Sequence, residues 1–163
     1  MESVREYHSL KEALGQDPDV AFITNPTHCH LDTARAVARA SVPFMVEKPL
    51  SDSLSGLGQL LSLVEQEDIT TLMGCQLRFH PVLQKTRSLL QEKSNREGLH
   101  SFRVVCGSYL PEWRPDQDYR KSYSAKAEQG GGVVLDLIHE LDYLHWWFGS
   151  PDEVQSFTGQ ISH

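Results

Sequence analysis

Cysteine is scarce in this chain: there are three among 163 residues, and Cys29, Cys75 and Cys106 lie far apart with no C-x-x-C pair. Such a set argues against a disulfide framework and fits a reducing cytoplasm. Positive charge is also in short supply, since 15 basic side chains face 22 acidic ones for a net charge of −7. No run of Lys or Arg offsets that balance locally, so a nucleic-acid partner is not expected. No apolar run approaches the ~20 residues that a bilayer span requires. The opening Met1-Glu2-Ser3-Val4-Arg5-Glu6 has no apolar signal core, so no membrane partner or export is expected. Neither G-x-G-x-x-G nor G-x-x-x-x-G-K-[ST] occurs anywhere in the chain, so neither familiar glycine loop for phosphate is present.

What remains is 39% hydrophobic and 23% charged, the balance of a globular chain that buries a core, with length for one complete domain or two incomplete ones. Residues 20–24 form a β-prone apolar run that stops at Asn25-Pro26, where proline biases its predecessor away from helix. A helix is predicted over 27–40, with Leu31, Ala34, Val37 and Ala38 at helical spacing. The pattern repeats with a strand over 43–46 ending at Glu47-Lys48-Pro49. A helix carrying Leu54, Leu57, Leu60, Leu61 and Val64 follows, with Ser51 or Ser53 as N-cap, and then a strand over 69–73. Alternation of this kind predicts βαβ units and a parallel sheet, with ligands beyond the carboxyl ends of the strands.

A further helix is expected over 81–91, followed by a break at Asn95-Arg96-Glu97-Gly98. Residues 101–109 then alternate as a half-covered strand does. Residues 109–127 read as a long aromatic and polar loop, a feature uncommon unless functional. Gly130-Gly131-Gly132 opens a helix that runs to Phe148, and another strand is expected from Val154 to Ile161. The domain boundary falls near residues 78–98, dividing the chain into parts over 1–80 and 81–163.

On the helix after the glycines, Val134, Leu137, Ile138, Leu141, Leu144 and Phe148 share one side, and Asp136, His139, Glu140 and Tyr143 share the other. The second set is suited to moving a proton near neutral pH. Lys48, wedged against proline at a strand end, can stabilise negative charge developing on a substrate oxygen. His28-Cys29-His30 supplies only two ligands where a catalytic zinc site uses three, so no metal is expected.

Phe22-Ile23-Thr24-Asn25-Pro26-Thr27-His28-Cys29-His30, Val46-Glu47-Lys48-Pro49-Leu50, Gly74-Cys75-Gln76-Leu77-Arg78-Phe79-His80-Pro81 and the stretch from Gly130-Gly131-Gly132 to Asp142 together resemble the glucose-fructose oxidoreductase, inositol dehydrogenase and MocA (Gfo/Idh/MocA) family. The resemblance implies an NAD- or NADP-dependent dehydrogenase of a sugar, polyol or related small carbonyl compound. It implies a partial Rossmann domain, lacking its first βαβ unit, followed by part of an α+β domain with an open, mainly antiparallel sheet. In it, Thr24, Asn25, Pro26, His28, His30, Glu47, Lys48 and Gln76 would border the cofactor, and the Lys48-Pro49 bond would be cis. Lys48, Asp136 and His139 would be catalytic. Asp and His are four apart in many members and three apart here, so His139, Asp136 and Glu140 all stand open as the base.

Arg78, Tyr109, Trp113, Tyr119, Arg120 and Glu140 are candidates to hold a sugar-like substrate. The resemblance places the start of the chain near the family's third strand, at residues 4–7, which would leave apolar strand surface uncovered. A homo-oligomer formed through the C-terminal sheet is expected. The rival reading is a non-catalytic binding or oligomerisation module derived from such an enzyme.

Overall fold

The computed structural model describes residues 4–159. In order it contains α1 (Leu10–Leu14), β1 (Ala21–Ile23), α2 (Thr27–Arg39), β2 (Phe44–Val46), α3 (Leu57–Gln66), β3 (Thr71–Met73), α4 (Pro81–Gln91), α5 (Lys93–Gly98), α6 (Val133–Asp136) and α7 (Ile138–Phe148). The chain divides into two compact units. One runs to Cys75 and resumes over Gly107–Ile138; the other takes up Gln76–Cys106 and resumes at His139.

The first unit is an α/β layer. Its three strands are parallel in the order β1-β2-β3, with Phe22, Met45 and Leu72 in register across them. Parallel neighbours need crossovers, and α2 and α3 supply them. Ile23, Phe44 and Val46 pack with Ala34, Val37, Ala38 and Leu60 in one buried core. Ala34 and Ala38 are wholly buried, and their small side chains let α2 lie close on the sheet. Arg35 ties the two helices together, donating from Nη2 to the Gly56 carbonyl at 2.9 Å and to Gln59 Oε1 at 3.0 Å. The alternate strand residues face the other way: Phe22 is 68% exposed and Leu72 57%.

Several local expectations change. The helix after β2 starts at Leu57 behind Gly56, whose φ of 79° is left-handed. Ser51 and Ser53 do not cap it, because their hydroxyls accept the N–H groups of Ser53 and Ser55, two residues on, and bend the chain locally. The break expected at residues 95–98 falls earlier, at Glu92, whose ψ of 124° ends α4 before α5 restarts the helix. Residues 4–7, 101–109 and 154–159 form no ladder among the described residues. Alternation makes a strand only where a neighbour offers hydrogen bonds, and Val105 and Phe157 stand exposed. Ile161, at the end of the last expected strand, lies outside the described residues.

In the second unit, aromatic packing sets the orientation of α7. Tyr143 lies 4.8 Å from Trp147 between ring centres, Trp147 lies 6.3 Å from Phe148, and Phe148 stacks on Phe102 at 4.5 Å. This turns Tyr143 inward at 9% exposure and Leu141 outward at 51%, the reverse of the sides inferred from polarity. Rings gain both buried area and edge or stacking attraction, which outweighs the aliphatic stripe.

Candidate active site

The carboxyl ends of the three parallel strands carry Thr24-Asn25, Glu47-Lys48 and Gly74-Cys75. Thr24, Asn25 and Pro26 are exposed, Glu47 and Lys48 half-buried, and Gly74 buried. Gly74 lies close under the Glu47 side chain: a Cβ there would come within 2.9 Å of Glu47 Oε2, so a larger residue would displace that carboxylate. The Glu47 carboxylate accepts the Lys48 N–H at 3.3 Å, and the Asn25 amide donates to Thr33 Oγ1 at 2.9 Å. The Lys48-Pro49 peptide bond is cis, as the resemblance implied. His28 and His30 diverge: the exposed His28 places Nδ1 3.2 Å from the Gln129 carbonyl oxygen, whereas His30 is buried with its ring between the carbonyls of Asn25 and Pro49.

The segment over 107–138 folds back within the same unit. Two of the three glycines, Gly130 and Gly131, are close contact points there. Gly130, at φ 77°, packs so closely on Thr27 that a Cβ would sit 2.8 Å from the threonine Cβ. At Gly131 a Cβ would collide with the Tyr123 carbonyl oxygen and stand 2.7 Å from that of Ser124. Backbone therefore meets backbone where α6 begins. The helix expected from the glycines to Phe148 is interrupted at Leu137, with φ −98° and ψ 30°.

That interruption frees the Asp136 carbonyl, and Lys48 Nζ donates to it at 2.7 Å across 88 residues of sequence. The ammonium thus closes the end of α6, where the last carbonyls of a helix lack partners and the dipole favours a cation. The Asp136 carboxylate meets Ser124 Oγ at 3.4 Å, and Ser124 is itself buried. Two of the three residues predicted to be catalytic are brought together; His139 falls in the other unit.

In the loop over 109–127, Tyr119, Trp113, Leu110, Arg114, Gln117, Ser122 and Ser124 line a hollow of about 10 Å³, room for about one water. Trp113 donates its indole N–H to Ser108 Oγ. Tyr109 stands exposed beside this loop. Arg120 is paired with Asp118 at 2.8 Å, and this guanidinium holds the Asp118 carboxyl below the usual carboxylate range. The loop's other guanidinium, Arg114, lines the hollow and was not singled out by sequence.

In the second unit, Gln76 is exposed on a short turn. Arg78 binds the Asp142 carboxylate at two points, 2.8 Å and 2.6 Å, the forked geometry that makes arginine–carboxylate pairs strong. Trp146 lies under both Arg78 and Arg87, at 5.8 Å and 4.4 Å from ring centre to guanidinium carbon. Sequence reasoning took Arg78 for a substrate ligand and passed over Asp142, whose only signal was its place one turn beyond His139.

Glu140 stands beside Cys106 and Tyr143. Shielding from water, and then the hydrogen bond to Glu140, raise the Cys106 thiol. Burial, followed by the Glu140 and Cys106 charges, raises the Tyr143 phenol. Because the folded value lies above the unfolded one, this contribution to stability is fully present below about pH 10 and is lost as pH climbs through the raised value. Tyr143 is expected to supply a part of the phenolate absorbance that appears above the pH of an ordinary tyrosine. Tyr143→Phe should remove that part; an unchanged alkaline titration would show the assignment to be wrong.

Two family models match the sequence. The NAD-binding Rossmann-fold model of the GFO_IDH_MocA oxidoreductase family covers residues 2–74, and the C-terminal alpha/beta domain of the same family covers residues 103–162. An uncharacterised oxidoreductase of Synechocystis is 27% identical over 159 residues, which are 96% of this chain and 41% of its own. A myo-inositol dehydrogenase of Streptomyces leeuwenhoekii is 28% identical over 143 residues, 86% of this chain and 40% of its own. The WlbA (WbpB) dehydrogenase from Thermus thermophilus, solved with NAD and UDP-GlcNAcA, is 27% identical, covers 80% of this chain with 40% of its own, and superposes with a TM-score of 0.62. The chain spans about two fifths of the length of these curated relatives. Among the described residues no helix is long and apolar enough to cross a membrane.

Proposed function

Since the chain belongs to the Gfo/Idh/MocA oxidoreductase family, whose N-terminal part is an NAD-binding Rossmann fold, we propose that it carries the nicotinamide side of a dehydrogenase site for a sugar, polyol or related small carbonyl compound. The observation that carries this reading is the tie between Lys48 Nζ and the Asp136 carbonyl. It holds an ammonium at the strand ends beside Asp136.

The donor set at the strand ends fits one half of a dinucleotide. A carboxylate such as Glu47 suits a ribose diol, and the Asn25 side chain and exposed strand-end main chain suit a carboxamide. Lys48 is the only Lys or Arg among residues 24–26, 47–49 and 74–75. When bound, NAD or NADP supplies the hydride acceptor or donor. In our reading Thr24, Asn25, Pro26, His28, Glu47 and Gln76 border it. Lys48 stabilises the substrate oxygen, and the proton passes to His139, Asp136 or Glu140. Trp113 and Tyr119 offer aromatic faces to a sugar ring.

Calorimetric titration with NADH and NADPH tests the proposal. Binding tighter than about 1 mM, or −4.1 kcal/mol, with amide shifts at Asn25, Glu47 and Lys48, is expected. Absence of binding by both would leave the non-catalytic module as the better reading.

A further inference from the structure

Among the described residues, His30 and Val37 are the largest fully buried side chains. Rising from the first turns of α2, its ring places Nδ1 2.7 Å from the Pro49 carbonyl oxygen and Nε2 2.7 Å from that of Asn25. Both ring nitrogens therefore face backbone. The two carbonyls belong to different loops, one leaving β1 and the other leaving β2. A carbonyl only accepts, so a ring nitrogen bonds the oxygen it faces when it carries a hydrogen. Placing a polar ring at such depth is costly unless its hydrogen bonds are made, and here those bonds join the two loops.

Lys48 sits between two anchors. Upstream, the sheet holds it, because the Glu47 N–H donates to the Ile23 carbonyl at 2.9 Å. Downstream, the polar anchor is His30 on the Pro49 carbonyl. An ammonium at the end of four methylenes stays aimed only if the main chain on both flanks is fixed, and 2.7 Å to the Asp136 carbonyl leaves little slack. We propose that His30 is a positioning residue: by locking the Pro49 carbonyl to the Asn25 carbonyl it sets where Lys48 stands and keeps Nζ on Asp136. This deepens the functional reading above, but the geometry it asserts is independent of any dinucleotide.

The test reads Lys48 directly and needs neither cofactor nor turnover. The intact chain is acetylated with an N-hydroxysuccinimide ester, and each lysine is followed by mass spectrometry, with the exposed Lys11 and Lys85 as internal references. His30→Phe should raise the Lys48 rate relative to those references by about five- to tenfold, the factor that corresponds to one net hydrogen bond. His30→Gln, whose amide nitrogen offers two hydrogens, should hold the rate near that of the parent. Val37→Ala, a cavity in the same helix away from both loops, controls for lost stability and should leave the ratio unchanged. If His30→Phe does not fold, His30→Asn, too short to span the two carbonyls, takes its place. A Lys48 ratio no higher in the His30 variant than in Val37→Ala overturns the proposal, whether or not NADH binds.

Discussion

Gly131→Ala is expected to lower stability by about 3 kcal/mol, the upper part of the range for forcing atoms into filled space. The reason is the nature of the neighbours. A methyl at this position meets the main-chain oxygens of Tyr123 and Ser124, which cannot swing aside as the tip of a long side chain could. Relief requires the turn over 122–125 to lift from the start of α6, and the Gly132 N–H would then lose the Ser124 carbonyl, which it reaches at 3.0 Å. The same substitution elsewhere separates space from backbone angle. Gly132 has open space but a φ of 110°, so alanine costs about 1 to 2 kcal/mol through conformation alone. Gly58 lies inside α3 with nothing near it, so alanine should stabilise by roughly 0.5 to 1 kcal/mol through helix propensity. Urea unfolding of the three variants checks the order, and a Gly131→Ala midpoint at or above that of Gly132→Ala would refute the packing account.

The second large effect is at Lys48. On the proposed function, Lys48→Ala is expected to reduce turnover of a sugar or polyol with NAD or NADP by about 10² to 10³, the cost of removing one donor aimed at developing negative charge. It also strips the Asp136 carbonyl of its cation at the interruption before Leu137, so amide exchange over 133–137 should quicken in parallel. Lys48→Arg is not a substitute, because a planar guanidinium cannot place one compact charge on a single carbonyl as the ammonium does. Parent-like turnover in Lys48→Ala would remove this lysine from the chemistry. Unchanged exchange would mean that the tie does not stabilise α6.

The βαβ grammar was legible because it rests on short-range rules. Apolar runs stopped by Asn25-Pro26 and Lys48-Pro49, with alanines at helical spacing between them, specify strand, loop and helix without reference to the rest of the chain. The sequence grouped Lys48 with Asp136 and His139 as catalytic; the contact in the structure is of Lys48 Nζ with the Asp136 carbonyl, a form that the sequence did not indicate. The interruption at Leu137 carries no Pro or Gly, and the acceptor is a carbonyl that every residue possesses. The orientation of α7 was misread because polarity was weighed above the pairing of Phe102 with Phe148, a partner distant in sequence. Arg78 illustrates the same limit: a guanidinium looks free until its carboxylate, Asp142, is brought to it by the fold.

The lysine's grip on the main chain has a consequence for how this region can change. Because the acceptor is backbone, it survives replacement of the side chain at position 136. A library randomised there would sample new proton-handling chemistry while leaving the lysine's anchorage in place. Whatever lineage or designer alters that acid does so without having to re-engineer the cation beside it, so the two elements are modular in the sense that matters for evolvability.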